Sequence, residues 1–241
     1  MKYYLVILFS IIAISCTQKS KTVNEDLLTY DELIEAEKYR SLPEVLQEKN
    51  KVYKLLLINK GLKEVPLEIN KLPNLNSLEL TMNKLSNLPN RLKRLQNIQS
   101  LYLSNNQFEK IPRVVFTLKN LKRLNLSDNP LRNLKGDFNK LDKLEELTLR
   151  RIGLASIDPI FELKNLKILV LSQNKIDTIS KEIEKLENLE VLDLSNNQLS
   201  HLPDEIIKLK KLKKLDLTSN NFNQQYIDQL RKKLTNTSIR H

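Results

Sequence analysis

Cysteine and histidine, the side chains that most often supply nucleophiles and soft metal ligands, are nearly absent. Cys16, His201 and His241 are all that 241 residues contain. One thiol closes no intrachain disulfide, and this spacing holds no metal-ligand set. The chain carries no G-x-x-x-x-G-K-[ST] phosphate loop and no G-x-S-x-G nucleophile elbow. The 29 carboxylates recur at intervals, as expected of a solvated surface rather than of an acid–base pair. Catalytic, cofactor-binding and metal-binding residues are therefore expected to be none, and no enzyme activity is expected. Two kinds of chemistry remain. Cys16 is a lone thiol behind an apolar run, suited to covalent modification. Tyr102, Arg123, Arg150 and Arg151 are of the types that dominate binding hot spots.

What positions these residues is a repeat. The segment from Leu189 to Lys211, LEVLDLSNNQLSHLPDEIIKLKK, returns with nearly the same pattern 23 residues in either direction. Units begin at Val52, Leu75, Ile98, Leu121, Leu144, Leu166, Leu189 and Leu212; they are called units one to eight below. A fixed period of this length is the signature of a solenoid, in which each unit buries its apolar face only against its neighbours. With no tryptophan, 6 phenylalanines and 7 tyrosines, the core must be aliphatic. The net charge of +11 invites a nucleic-acid partner, but the lysines recur on the outer segments, as in Lys208-Leu209-Lys210-Lys211. They are not interleaved with aromatics as a base-stacking platform would be. Nucleic acid is not expected as a partner.

The pattern L-x-x-L-x-L-x-x-N-x-L, followed by x-x-L-P-x-x-I-x-x-L, resembles the bacterial leucine-rich repeat over residues 52–234. The resemblance implies an α/β fold: a right-handed solenoid with a parallel β-sheet on its concave face and short helical or irregular segments on the convex face. The alternation in Leu192-Asp193-Leu194 reads independently as a strand. Asn83, Asn106, Asn129, Asn174, Asn197 and Asn220 stand where the chain leaves the strand, and an amide there can satisfy turn groups that would otherwise be buried unpaired. Lys60 and Ile152 replace that Asn in units one and five. Unit five is also one residue short, so an irregularity is expected after its strand. Residues 29–51 are expected to form a helical cap, with Ser41-Leu42-Pro43-Glu44 as a capping box. A longer helix over 225–234 and a cap strand within 235–241 are expected to close the other end.

In proteins of this kind partners bind the side chains left free on the strand side. Arg123, Arg150 and Arg151 fall on adjacent units and are expected to form a basic patch. Ile168, Val170 and Val191 lie beside it where polar residues would be ordinary, and Tyr102 stands nearby. Contact is therefore expected on units three to six, with an unidentified protein, or a glycan, as ligand of a monomer. A structural role in assembling the cell envelope is the competing reading.

The N-terminus sets the compartment. Tyr3 to Ile14 is an apolar run, too short to span a bilayer as a helix and matched to a secretory signal. It ends in Ala13-Ile14-Ser15-Cys16, which resembles the lipobox of bacterial lipoproteins, although Ala13 stands where leucine is usual. That resemblance implies a signal peptide over 1–15, acylation of Cys16, and a lipidated tether over 16–28. An exported protein anchored to a bacterial membrane, at the outer membrane or cell surface, follows from it. Acylation by two or more chains would make the anchorage stable.

Overall fold

A computed structural model describes residues 27–241. Ten parallel strands form one sheet in strict chain order, each paired only with its sequence neighbours. Strands β2 to β9 are the repeat strands: Lys54–Leu56, Ser77–Glu79, Ser100–Tyr102, Arg123–Asn125, Glu146–Thr148, Ile168–Val170, Val191–Asp193 and Lys214–Asp216. β1 (Lys38–Tyr39) and β10 (Ser238–Arg240) extend the sheet at its two ends. The central leucine of each repeat strand stacks on the next, as in Leu124↔Leu147 and Leu147↔Leu169. One continuous core of leucine, isoleucine, valine and a few phenylalanines runs from Tyr39 to Leu234. At roughly 1.5–3 kcal/mol for each fully buried aliphatic side chain, no single unit could fold alone, but every neighbour adds the same face again.

The repeat strands β2 to β9 are joined on the convex side by 3-10 turns. Pro66, Pro89, Pro112 and Pro203 each precede such a turn, since proline fixes φ and has no N–H to satisfy. The turn Phe138–Lys140 is shorter than the others. There Gly136 leaves room for the Phe116 ring, which a Cβ would meet at 2.0 Å, and Phe116 meets Phe138 edge-on at 5.4 Å.

Each unit leaves its strand through one residue in the left-handed region: Asn59, Met82, Asn105, Asp128, Arg151, Gln173, Asn196 and Ser219, with φ of 51–59°. The asparagine that follows locks the turn. Asn106 donates from Nδ2 to the carbonyls of Leu80, Leu103 and Ser104 and accepts from Leu85 N–H through Oδ1. Asn129, Asn174 and Asn197 repeat the pattern. Where Asn is missing, glycine follows: Gly61 after Lys60 (φ 66°) and Gly153 after Ile152 (φ 76°). This conformation brings two N–H groups onto one oxygen of the next unit. Lys60 and Leu62 both donate to Asn83, and Ile152 and Leu154 both donate to Asn174. The irregularity expected after the fifth repeat strand is this glycine turn, and the register of β6 with β7 is kept.

The caps depart from expectation in detail. The N-terminal one holds α1 (Tyr30–Glu35), the unforeseen strand β1, and α2 (Leu42–Gln47). The reciprocal capping box is at Thr29 and Glu32. Ser41 makes no cap to the backbone; its hydroxyl bonds the Glu44 carboxylate instead. Val45 is fully buried, with Leu42 and Leu46 packed on the core beside it. Tyr39 buries its ring, and its hydroxyl lies between Glu37 and Glu48; burial first, then these two carboxylates, push its pKa up to about 12. At the other end α3 (Gln224–Lys233) is capped by Asn223. It is tied to unit seven by the Tyr226 hydroxyl, which accepts from Leu202 N–H and donates to Leu202 C=O.

Candidate recognition face

Side chains at the first and third strand positions face away from the core. The first-position column runs Lys54, Ser77, Ser100, Arg123, Glu146, Ile168, Val191, Lys214; the third runs Leu56, Glu79, Tyr102, Asn125, Thr148, Val170, Asp193, Asp216. Ile168 pairs with Val191, and Val170 lies between Thr148 and Asp193. Ile168, Val170 and Val191 are half-exposed and stand outside the core cluster. They form one apolar block across β7 and β8. Beside it, Val191, Asp193, Lys214, Asp216, Ser238 and Arg240 line an open depression of about 330 Å³.

The arginines do not gather. Arg123 begins β5, in register with Glu146. Arg150 lies beyond β6, level with Ser127, whose hydroxyl accepts from its N–H. Four residues of strand separate those levels, about 13 Å at 3.3 Å per residue. Each side chain also has its own partner. Arg123 Nε donates to Ser100 Oγ at 2.9 Å, and its guanidinium lies 4.6 Å from the Tyr30 ring centroid. Arg150 donates to Gln173, and Arg151 pairs with Asp128 at 2.5 Å. Tyr102 sits on β4, half-exposed, beside Asn125. Cys16 lies outside the described residues. Leu28, placed in the tether by the sequence reading, is docked: its N–H donates to Asn76 Oδ1 and its C=O accepts from Gln99 Nε2.

Arg123 being held by Ser100 and Tyr30 leaves Glu146 without an ion pair among the described residues. Burial raises the Glu146 carboxyl above its ordinary range, with Arg123 opposing the shift and Glu145 adding to it. Asp193 instead spends one oxygen on its own turn, accepting from Ser195 N–H and Oγ–H. Asp216 does the same with Thr218 and also pairs with Arg240.

A second amide ladder escaped the sequence reading. Asn74, Asn97, Asn120, Asn165 and Asn188 each donate to a carbonyl one unit back, at 2.6–3.1 Å. Lysine replaces Asn at three places: Lys143 donates to Asn120 and Lys211 to Asn188, while Lys51, at the start of unit one, donates to Glu48. The signal was present, as an Asn directly before the first apolar residue of most units.

Residues 96–151 and 164–222 match the family model described as leucine rich repeat. This chain is a leucine-rich repeat protein. A leucine-rich repeat protein of Leptospira interrogans is 34% identical over 83% of this chain and 57% of its own length, with a TM-score of 0.67. The present leucine-rich repeat chain thus spans little more than half of that relative. Internalin C2 of Listeria monocytogenes shares the fold at 23% identity, covering 80% of this chain and 83% of its own, with a TM-score of 0.68. TLR13, solved in complex with ssRNA13, is 32% identical over 79% of this chain and 29% of its own, with a TM-score of 0.64. No significant match is found among curated proteins. Leucine-rich repeats are typically protein-binding scaffolds. Among the described residues of this one, no three His, Cys, Asp or Glu side chains are grouped to hold a metal ion, and no helix is long and apolar enough to cross a membrane.

Proposed function

We propose that this chain is a non-catalytic recognition protein. It binds a protein partner on the concave face of units four to seven and is held to a bacterial membrane through acylated Cys16. The observation that carries the binding half is the block of Ile168, Val170 and Val191. These three apolar side chains are contiguous, half-exposed and rigidly presented on neighbouring strands. Such an arrangement suits the centre of an interface, with polar residues as its rim. Arg150 and Arg151 of unit five belong to that rim; Tyr102 lies one unit outside it, and Arg123 is held by Tyr30 and Ser100.

Single-stranded RNA, the ligand named for the TLR13 complex, fits this face less well. A strand of phosphates needs cations along the groove and aromatic faces for its bases. Here the Arg123 guanidinium is taken by Tyr30 and Arg151 by Asp128. Glu146, Asp193 and Asp216 lie in the same field.

The anchoring half is supported by the apolar run and the Ser15-Cys16 pair. Mass spectrometry of the mature N-terminus from native membranes tests it. An acylated Cys16 is the expected result; an N-terminus at a later, unmodified residue overturns it. Protease accessibility on whole cells then assigns the protein to the surface or to the interior of the envelope. For the binding half, partner capture from solubilised envelope should be abolished by Val170→Asp or Val191→Asp. Asn196→Ala, an exposed turn residue, should leave it intact. Capture that survives both aspartates overturns the reading.

A further inference from the structure

Asn76, Ser77, Gln99 and Ser100 lie where the chain enters β3 and β4, with Ser77 and Ser100 on the side of the sheet that faces away from the core. All four are 4% exposed or less. The equivalent residues of units four to eight, from Lys122 and Arg123 to Lys213 and Lys214, are all half-exposed or exposed. The difference is made by the chain's own residues 28–35. Leu28 is bracketed by two amides: Asn76 Oδ1 accepts its N–H at 3.0 Å and Gln99 Nε2 donates to its C=O at 2.6 Å. The amides also bond each other at 2.7 Å. Two residues on, the Tyr30 ring meets Arg123 on β5. One turn later, Leu33 C=O accepts from Lys54 on β2. The segment therefore crosses the strand starts of units one to four.

This is how a groove holds a peptide: main-chain N–H and C=O read by paired side-chain amides, and one aromatic ring read by a guanidinium. The grip is light. Leu33 is the only buried residue of α1, and it lies outside the continuous core. Tyr30 and Ile34 are 57% and 45% exposed. A segment with few buried contacts opens locally at low cost, while the strands beneath it stay folded.

We propose that the strand-start side of units two to four is a peptide-binding site, filled in cis by residues 28–35 acting as a displaceable strap. Its ligand class is a peptide that is extended where Asn76 and Gln99 bracket it and enters a helical turn at an aromatic residue two positions later, as Leu28, Thr29 and Tyr30 do at the start of α1. The site is distinct from the apolar block on β7 and β8, and it does not depend on what that block binds.

The test uses the full chain and a fluorescein-labelled peptide of residues 27–36. Leu28→Pro removes the N–H that Asn76 accepts, and Tyr30→Ala removes the ring; neither residue belongs to the core. The double variant should bind the labelled peptide at least tenfold more tightly than wild type, because its own strap no longer competes. Adding Gln99→Leu should abolish that gain. Equal binding, no binding to the double variant, or a gain that survives Gln99→Leu overturns the proposal. A second readout needs no peptide. A thiol placed by Ser100→Cys should react with maleimide at least tenfold faster in the double variant than in the wild-type background, scored by mass spectrometry at residue 100. Equal rates overturn the strap.

Discussion

Units two and three and units five to eight share one scaffold but present opposite surfaces at the start of their strands. In units two and three the two positions there are Asn-Ser and Gln-Ser, buried under residues 28–35. Further along, the first of those positions alternates in charge: Glu145, Lys167, Glu190, Lys213. Lys167 pairs with Glu145 at 2.9 Å and Lys213 with Glu190 at 2.6 Å, in contact with water. Neutral amides can be covered when every donor and acceptor finds a partner; a row of charges covered in the same way would lose its hydration. The repeat thus fixes a backbone, and the free positions decide whether a stretch of it is closed or open.

Four measurements would break or sharpen this contrast. The largest effect belongs to what both halves share. Asn106→Ala and Asn197→Ala each strip partners from three carbonyls and one N–H, and each should cost about 3 kcal/mol in urea unfolding. A large difference between them would mean that the two halves are not equivalent scaffolds. Next comes the position at which they diverge. Gln99→Ala leaves Leu28 C=O and Asn76 Oδ1 each short of a donor and should cost about 1–3 kcal/mol. Glu190→Ala, in an exposed pair, should leave the unfolding midpoint within error.

Tyr30→Ala should be milder, about 0.5–1 kcal/mol, the range of a partly exposed cation–π contact. Its larger signature is faster hydrogen exchange confined to residues 28–35.

The smallest effect is at Glu146. Its folded-state pKa is raised, by burial first, so its carboxylate form disfavours the folded state. The penalty is absent below the unfolded value near 4.5 and sets in as pH rises through the folded value. Glu146→Gln should therefore melt slightly higher than wild type at pH 7, and the gap should close as pH falls towards 4.5. A gap that widens on acidification would show that Arg123 turns to Glu146 in solution, and hence that Tyr30 does not hold it.

Much of this was legible in the residues. The 23-residue period gave the unit boundaries, the strand positions and the role of Asn106 and its counterparts, because a solenoid's contacts are local and repeat with the sequence. It also marked Lys60 and Ile152 as departures. The two-to-one sharing of Asn83 and Asn174 oxygens that compensates for them became visible only with backbone angles. The face was legible as a list of columns but not as a surface. Arg123 and Arg150 are one unit apart in sequence, yet they lie at different levels of their strands and turn to different partners.

By itself, then, the sequence determined the scaffold: an aliphatic stack of eight units, capped at both ends, with an amide locking each turn. Periodicity is enough for that, since every unit meets a copy of itself. Only the tertiary structure decided where residues 28–35 come to rest, because nothing repeats between that segment and Asn76, Gln99 or Arg123, which lie 48 to 93 positions further along the chain. Contacts between a non-repeating segment and a repeating one leave no period to read. They are set by which buried amides find partners once the stack has formed.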